Sequence, residues 1–332
     1  MVKTTRVTVS LSLLLTLSGC ASLWSAAEGP LTRHNRAPVF TAHDGQIHDP
    51  DARSFVARGI NLQYGDDPKR ARPAIAAIAS VHADIIRLEL RRNTTAWQVR
   101  RALDEAVRAR IPVMLMYWES DITCGTDAGI LKRDVHDLWL KRWQGVLREA
   151  KYQPYLMLNL ANEWGKGDGD YADYLATYTG LIQDMRQAGL RMPLVIDAAE
   201  CGQDTGSFLD GRGAQLQAAD PLHNLIVSVH AYNKPWNSDA LIDRHIADLK
   251  AEGVPFLIGE FGDRELVEDG NAVDHLHLMQ QAEAEGVGWL AWSWKGNGGA
   301  TKVLDMSRQY GTADLTRRGQ DIVDGPGGLK AQ

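Results

Sequence analysis

Two segments of the chain run through apolar residues and end on a glutamate. They are Leu158-Asn159-Leu160-Ala161-Asn162-Glu163-Trp164-Gly165 and Phe256-Leu257-Ile258-Gly259-Glu260-Phe261-Gly262. A pair of carboxylates can divide acid/base work from nucleophilic attack, and a glycosidic bond is a substrate that such a pair suits. An apolar run without polar alternation reads as a parallel strand covered on both faces. A carboxylate at the exit of such a strand stands where a barrel opens to solvent, the end at which barrel enzymes carry their chemistry.

The rest of the chain supplies the elements such a barrel needs. Eight short apolar runs, at 56–62, 85–90, 111–117, 155–160, 194–198, 225–229, 254–258 and 287–292, recur at the repeat length of strand-plus-helix units. Segments 73–81, 97–110, 135–150, 171–188, 238–252 and 272–285 show helical apolar spacing. Residues 199–224 form the weakest unit, rich in Gly and Asp, with room for a short helix. Before the first run, Pro38-Val39-Phe40-Thr41 and His43-Asp44-Gly45-Gln46 predict a small hairpin on an Asp-Gly turn. The fold class expected is α/β: a single (β/α)8 barrel with an N-terminal hairpin, over residues 38–328.

The 332 residues carry a net charge of −6, which gives no electrostatic case for a nucleic-acid partner. Ten tryptophans against five phenylalanines fit carbohydrate stacking, though indoles also fill cores. Lys3 and Arg6 precede an apolar stretch, Val7 to Leu17, too short to span a membrane. It ends Leu17-Ser18-Gly19-Cys20, which resembles a bacterial lipoprotein signal. Residues 1–19 then read as the signal, Cys20 as the lipidated residue and 20–37 as a tether. The expectation is an exported, membrane-anchored lipoprotein at an outer membrane, cell surface or periplasm. Cys124 and Cys201 remain in that oxidising setting, as one disulfide or as two free thiols.

Asn162-Glu163 and Gly259-Glu260-Phe261-Gly262, together with Arg87, His230-Ala231-Tyr232 and Trp292, resemble family 5 glycoside hydrolases. The stretches Val195-Ile196-Asp197-Ala198-Ala199, Asp220-Pro221-Leu222-His223-Asn224 and the Trp-rich run from Trp289 to Asn297 resemble that family's bacterial endo-β-1,4-mannanase branch. The resemblance covers about residues 55–325. It implies Glu163 as general acid/base and Glu260 as nucleophile, beside Arg87 and the Tyr232 hydroxyl. Asn162 would bond the sugar's 2-hydroxyl, His230 would serve the site, and Trp292 would floor it. The implied substrate is β-mannan or a related β-glycan, hydrolysed by a monomer without cofactor or metal. A β-1,4-glucanase is the nearest alternative, and a saccharide-binding lipoprotein without hydrolysis is the alternative from another class.

Trp118, Trp164, Trp236 and Trp294 fall near the ends of runs and could line flanking subsites, whereas Trp97, Trp139, Trp143 and Trp289 read as core. One departure stands out. The family usually carries a histidine near the end of the third strand, and here Met116-Tyr117-Trp118-Glu119 places Trp118 there. An indole on that side could stack on a sugar or block a subsite. The run Gly165-Lys166-Gly167-Asp168-Gly169 lacks a phosphate-loop ending and reads as a lip of the cleft. Asp121, Asp127, Glu200 and Asp204 show no metal-ligand spacing and read as loop acids.

Overall fold

The computed structural model describes residues 37–262 and 272–331, so the signal, Cys20 and nearly all of the tether lie outside the described residues. Strands β1 (Thr41–His43) and β2 (Gln46–His48) form the hairpin. Its turn places Asp44 and Gly45 at positive φ, as a primed two-residue turn requires. Eight parallel strands follow and close into a barrel in sequence order, with the last pairing the first. They are β3 (Arg58–Leu62), β4 (Ile85–Leu90), β5 (Val113–Tyr117), β6 (Leu156–Asn159), β7 (Leu194–Asp197), β8 (Leu225–Ala231), β9 (Phe256–Phe261) and β10 (Gly288–Ala291).

The helices are α1 (Pro68–Ala71), α2 (Ala74–Ala79), α3 (Ala96–Ala109), α4 (Ala128–Asp137), α5 (Gln144–Leu147), α6 (Ala172–Gln187), α7 (Arg212–Ala219), α8 (Asp239–Ala251), α9 (His275–Glu285) and α10 (Arg317–Asp324). The sequence reading started the fourth helix at 135. Asp127 instead caps the helix by accepting from Gly129 and Ile130, and a π-turn over Leu138–Arg142 separates α4 from α5. Helix α10 was not anticipated, because few of its residues are apolar; Ile322 and Val323 carry its buried side. Trp97 corrects the core assignment. The buried face of α3 is Val99, Ala102, Leu103 and Ala106, and Trp97 lies off that stripe, 66% exposed with Arg101 over its ring. Trp139, Trp143 and Trp289 are fully buried.

Strand periodicity sorts the barrel interior into storeys. Ile85, Met114, Met157, Val195, Ile226, Leu257 and Leu290 cluster as an apolar floor, onto which the hairpin residues Phe40, Ala42 and Ile47 pack. One step nearer the mouth the same face turns polar on five strands, with Asn61, Arg87, Asn159, Asp197 and Ser228 all buried. Polar groups gathered there, above a dry floor and below the mouth, mark the end where chemistry is done.

Candidate active site

Arg87 is the centre of that polar storey and is wholly buried. Its Nη1 donates to Glu260 Oε1 at 2.5 Å and to Asn61 Oδ1 at 3.0 Å. Its Nη2 donates to Asp197 Oδ2 at 2.9 Å, Asn162 Oδ1 at 2.8 Å and Asn159 Oδ1 at 2.7 Å. A guanidinium is the one side chain with enough fixed donors to satisfy so many acceptors at once.

Glu260 reaches the interior through a break in strand alternation. Leu257 faces the floor and Ile258 faces the helices, so regular pleating would turn Glu260 outward. Pairing passes from Val229↔Ile258 directly to His230↔Glu260, leaving Gly259 as an extra residue. This bulge turns Glu260 inward beside His230. Glycine is required there, since a Cβ would lie 2.3 Å from Ser228 Oγ and 3.1 Å from His230 Nε2. Both Glu260 oxygens are bonded, Oε1 by Arg87 and Oε2 by the Tyr232 hydroxyl at 2.9 Å.

Glu163 follows β6 with φ of 53°, a left-handed turn that parts it from its neighbour. Its side chain joins the site, while Trp164 packs among Tyr174 and Tyr178 of α6. Glu163 Oε1 lies 2.6 Å from His230 Nδ1, and its backbone N–H donates to Asp197 at 3.2 Å. One side-chain atom each from Glu163, His230 and Glu260 fall within 4.8 Å of one another. Carboxylates that close suit a retaining displacement, because an inverting pair stands about 6.5–9.5 Å apart to admit a water.

The charges are arranged for a proton donor beside a fixed carboxylate. Burial pushes the Glu163 carboxyl above its usual range, against the opposing pull of His230. Burial alone would discharge His230, but the surrounding Glu260 and Asp197 carboxylates hold its proton up to about 10. Burial likewise opposes ionisation of Asp197, and Arg87 and His230 overcome it, holding that carboxyl at about 2. Charged His230 donates from Nδ1 to Glu163 Oε1, which leaves Oε2 to carry the transferable proton.

The structure joins Cys124 to Cys201 in a disulfide across 77 residues. Cys124 N–H donates to the Glu163 carbonyl at 3.0 Å, and Cys124 Sγ is 4.0 Å from Glu163 Oε2. Gly202, next to the other cysteine, accepts from His230 N–H at 2.7 Å. Its φ of 76° and a would-be Cβ 2.6 Å from the imidazole both require glycine. The cross-link therefore braces the loops on both sides of the acid. Replacing both cysteines by serine should lower unfolding free energy by about 3–5 kcal/mol. Denaturant titration of the mature protein checks this, and an unchanged midpoint would show that the bond contributes nothing.

The tryptophans divide. Trp118 and Trp292 are half-buried at the mouth, and Trp292 Nε1 donates to Asn297 at 2.9 Å beside a cis Trp292–Ser293 peptide. Trp164, Trp236 and Trp294 are buried, which corrects their assignment to flanking subsites. Trp236 packs on His245, and Trp294 Nε1 donates to Tyr310 O at 2.8 Å, so these indoles brace loops and present no face to a sugar. The loop acids also brace: Asp121 pairs with Arg92, Glu200 accepts from Gly167 N–H, and Asp204 accepts from the Tyr171 hydroxyl. Asp197, Asn61 and Asn159 escaped the sequence reading as site residues. Their signal was available, since each is a polar residue inside a buried run, as Arg87 is.

Comparison with known proteins agrees with this geometry. The family model described as cellulase (glycosyl hydrolase family 5) matches residues 49–298. A mannan endo-1,4-beta-mannosidase of Streptomyces lividans is 30% identical, over 96% of this chain and 84% of that protein. One from Salipaludibacillus agaradhaerens is 31% identical, over 88% of this chain and 92% of its own length. Among solved structures, a beta-mannanase from Thermomonospora fusca superposes with TM-score 0.80 at 27% identity, covering 89% of this chain and 97% of that one.

Proposed function

Because the chain belongs to glycosyl hydrolase family 5, we propose that it is a retaining glycoside hydrolase cleaving β-1,4-mannosidic bonds in mannan-type chains. The observation that carries the mechanism is the close approach of Glu163 and Glu260 around His230. Similarity to the mannan endo-1,4-beta-mannosidases above supports the substrate.

Glu260 attacks the anomeric carbon as Glu163 gives its proton to the departing glycosidic oxygen, forming a glycosyl–enzyme ester. Glu163, now a carboxylate, takes a proton from water, which attacks the same carbon and releases Glu260. Arg87 and Tyr232 hold the Glu260 oxygens in place for the first step and receive them back after the second. Asn162, tied to Arg87 and to Thr123 Oγ1 at 3.2 Å, would contact the 2-hydroxyl, with Trp292 and Trp118 as stacking surfaces.

Assay of new reducing ends on mannan, glucomannan, carboxymethylcellulose and xylan tests the substrate. Mannan should be cleaved fastest, and preference for carboxymethylcellulose would transfer the reading to a β-1,4-glucanase.

Acyl chains on Cys20 would hold the enzyme at a bacterial membrane surface; no helix among the described residues is long and apolar enough to cross one. Intact mass of the native protein should show acylation, and Cys20→Ser should release it or leave it unprocessed. A native mass without acyl groups would defeat the anchor.

A further inference from the structure

The interior face of β4 runs Ile85, Arg87, Glu89 and, one residue past the strand, Arg91. That of β5 runs Met114, Met116 and then Trp118. Parallel register sets Arg87 beside Met114 and Glu89 beside Met116. Trp118 N–H donates to Leu90 O at 2.9 Å, which carries the ladder one step further and makes Arg91 and Trp118 the next pair, at the mouth. They touch: the guanidinium carbon of Arg91 lies 3.7 Å from the centre of the indole.

Arg91 is itself held from several directions. Its Nε and Nη2 donate to Asp66 Oδ1 at 2.8 and 2.5 Å, and its Nε is 3.0 Å from Glu89 Oε1. Glu89 is only 3% exposed, and Glu119 stands 3.7 Å from Nη1. The two-step displacement uses none of these groups. A guanidinium gripped in this way has little freedom to swing, so it fixes the indole lying on it, and that indole stays half-exposed at the rim. A rigid aromatic face at the rim is a stacking surface for a sugar. Arg91 itself, with Asp66, Arg92, Asn93 and Glu119, lines an open depression of about 460 Å³ at the same rim.

We infer that Arg91 is a positioning residue for chain-length specificity: anchored by Asp66 and flanked by Glu89, it holds Trp118 as a platform for a sugar unit away from the bond being cut. This rests on the β-mannan reading and goes beyond it in assigning Arg91, Glu89 and Asp66. Longer oligosaccharides reach the platform and shorter ones do not.

The test is steady-state kinetics on mannotriose through mannohexaose for wild type, Arg91→Ala, Trp118→Ala, their double variant and Asp66→Asn. Arg91→Ala should lower kcat/KM for mannohexaose about two- to tenfold, with the change carried by KM, and should affect mannotriose less. Asp66→Asn, at an exposed partner, should show a smaller effect of the same kind, which protects the test if Arg91→Ala folds poorly. The double variant should be no worse than Trp118→Ala, since both remove one platform. Equal losses at every length, losses carried by kcat, or additive losses in the double variant would overturn the inference while leaving the β-mannan reading in place. A wild type inactive on all these oligosaccharides would overturn both.

Discussion

Glu260→Gln should leave a folded barrel with at least about 10⁴-fold lower turnover, because no other group near the anomeric carbon can form the covalent intermediate. The amide keeps the shape of the carboxylate: its oxygen can accept from Arg87, its NH2 can donate to the Tyr232 hydroxyl, and Asp197 still neutralises Arg87, so circular dichroism should be unchanged. Glu163→Gln should cost roughly 10²–10⁴-fold on mannan, the range expected when a general acid is removed. Its loss should shrink on aryl mannosides with a good leaving group, whose departure needs no protonation. Burial raises the Glu163 carboxyl, so the protonated acid persists above the ordinary carboxylate range and wild-type activity falls as pH rises through that raised value. Glu163→Gln should abolish that alkaline limb. Survival of the limb would assign it to another group.

Arg87→Met should be the most destabilising single change in the site. Arg87 neutralises Asp197 and Glu260 from a fully buried position, and removing one partner of such a network costs about 3–5 kcal/mol. The pH dependence gives a sharper signature than the magnitude. In wild type, Asp197 titrates at about 2, below its unfolded value, so its contribution is present above the ordinary carboxylate range and lost as pH falls towards 2. Without Arg87 the largest pull against burial is gone, so that pKa should rise and the variant should lose this contribution at a higher pH than wild type as the solution is acidified. Denaturant midpoints at several pH values read this directly. A variant as stable as wild type at every pH would show that the network is not electrostatically coupled.

The eight strands were legible because strands covered on both faces must be continuously apolar, and helix-spaced segments separate them. Glu163 and Glu260 were legible because each ends such a run, whereas Arg87, His230 and Tyr232 were legible through the family resemblance. What escaped depended on three-dimensional register. Asn61, Asn159 and Asp197 are single polar residues in apolar runs, and a strand pattern does not say which of them share a storey with Arg87. The bulge at Gly259 is invisible to alternation, yet it decides that Glu260 faces inward. Trp164, Trp236 and Trp294 were placed by nearness to strand ends, but an indole beside a loop is stabilised by burial against helices as readily as by a sugar. Trp97 erred in the opposite sense, since membership of a helix does not fix the face.

Product stereochemistry decides whether Glu260 is the nucleophile. Proton NMR in the first minutes of manno-oligosaccharide hydrolysis, before mutarotation, should show new reducing ends in the β configuration of the bond that was cut. Initial formation of the α anomer would mean that water attacks in a single displacement, and that Glu260 is not the nucleophile.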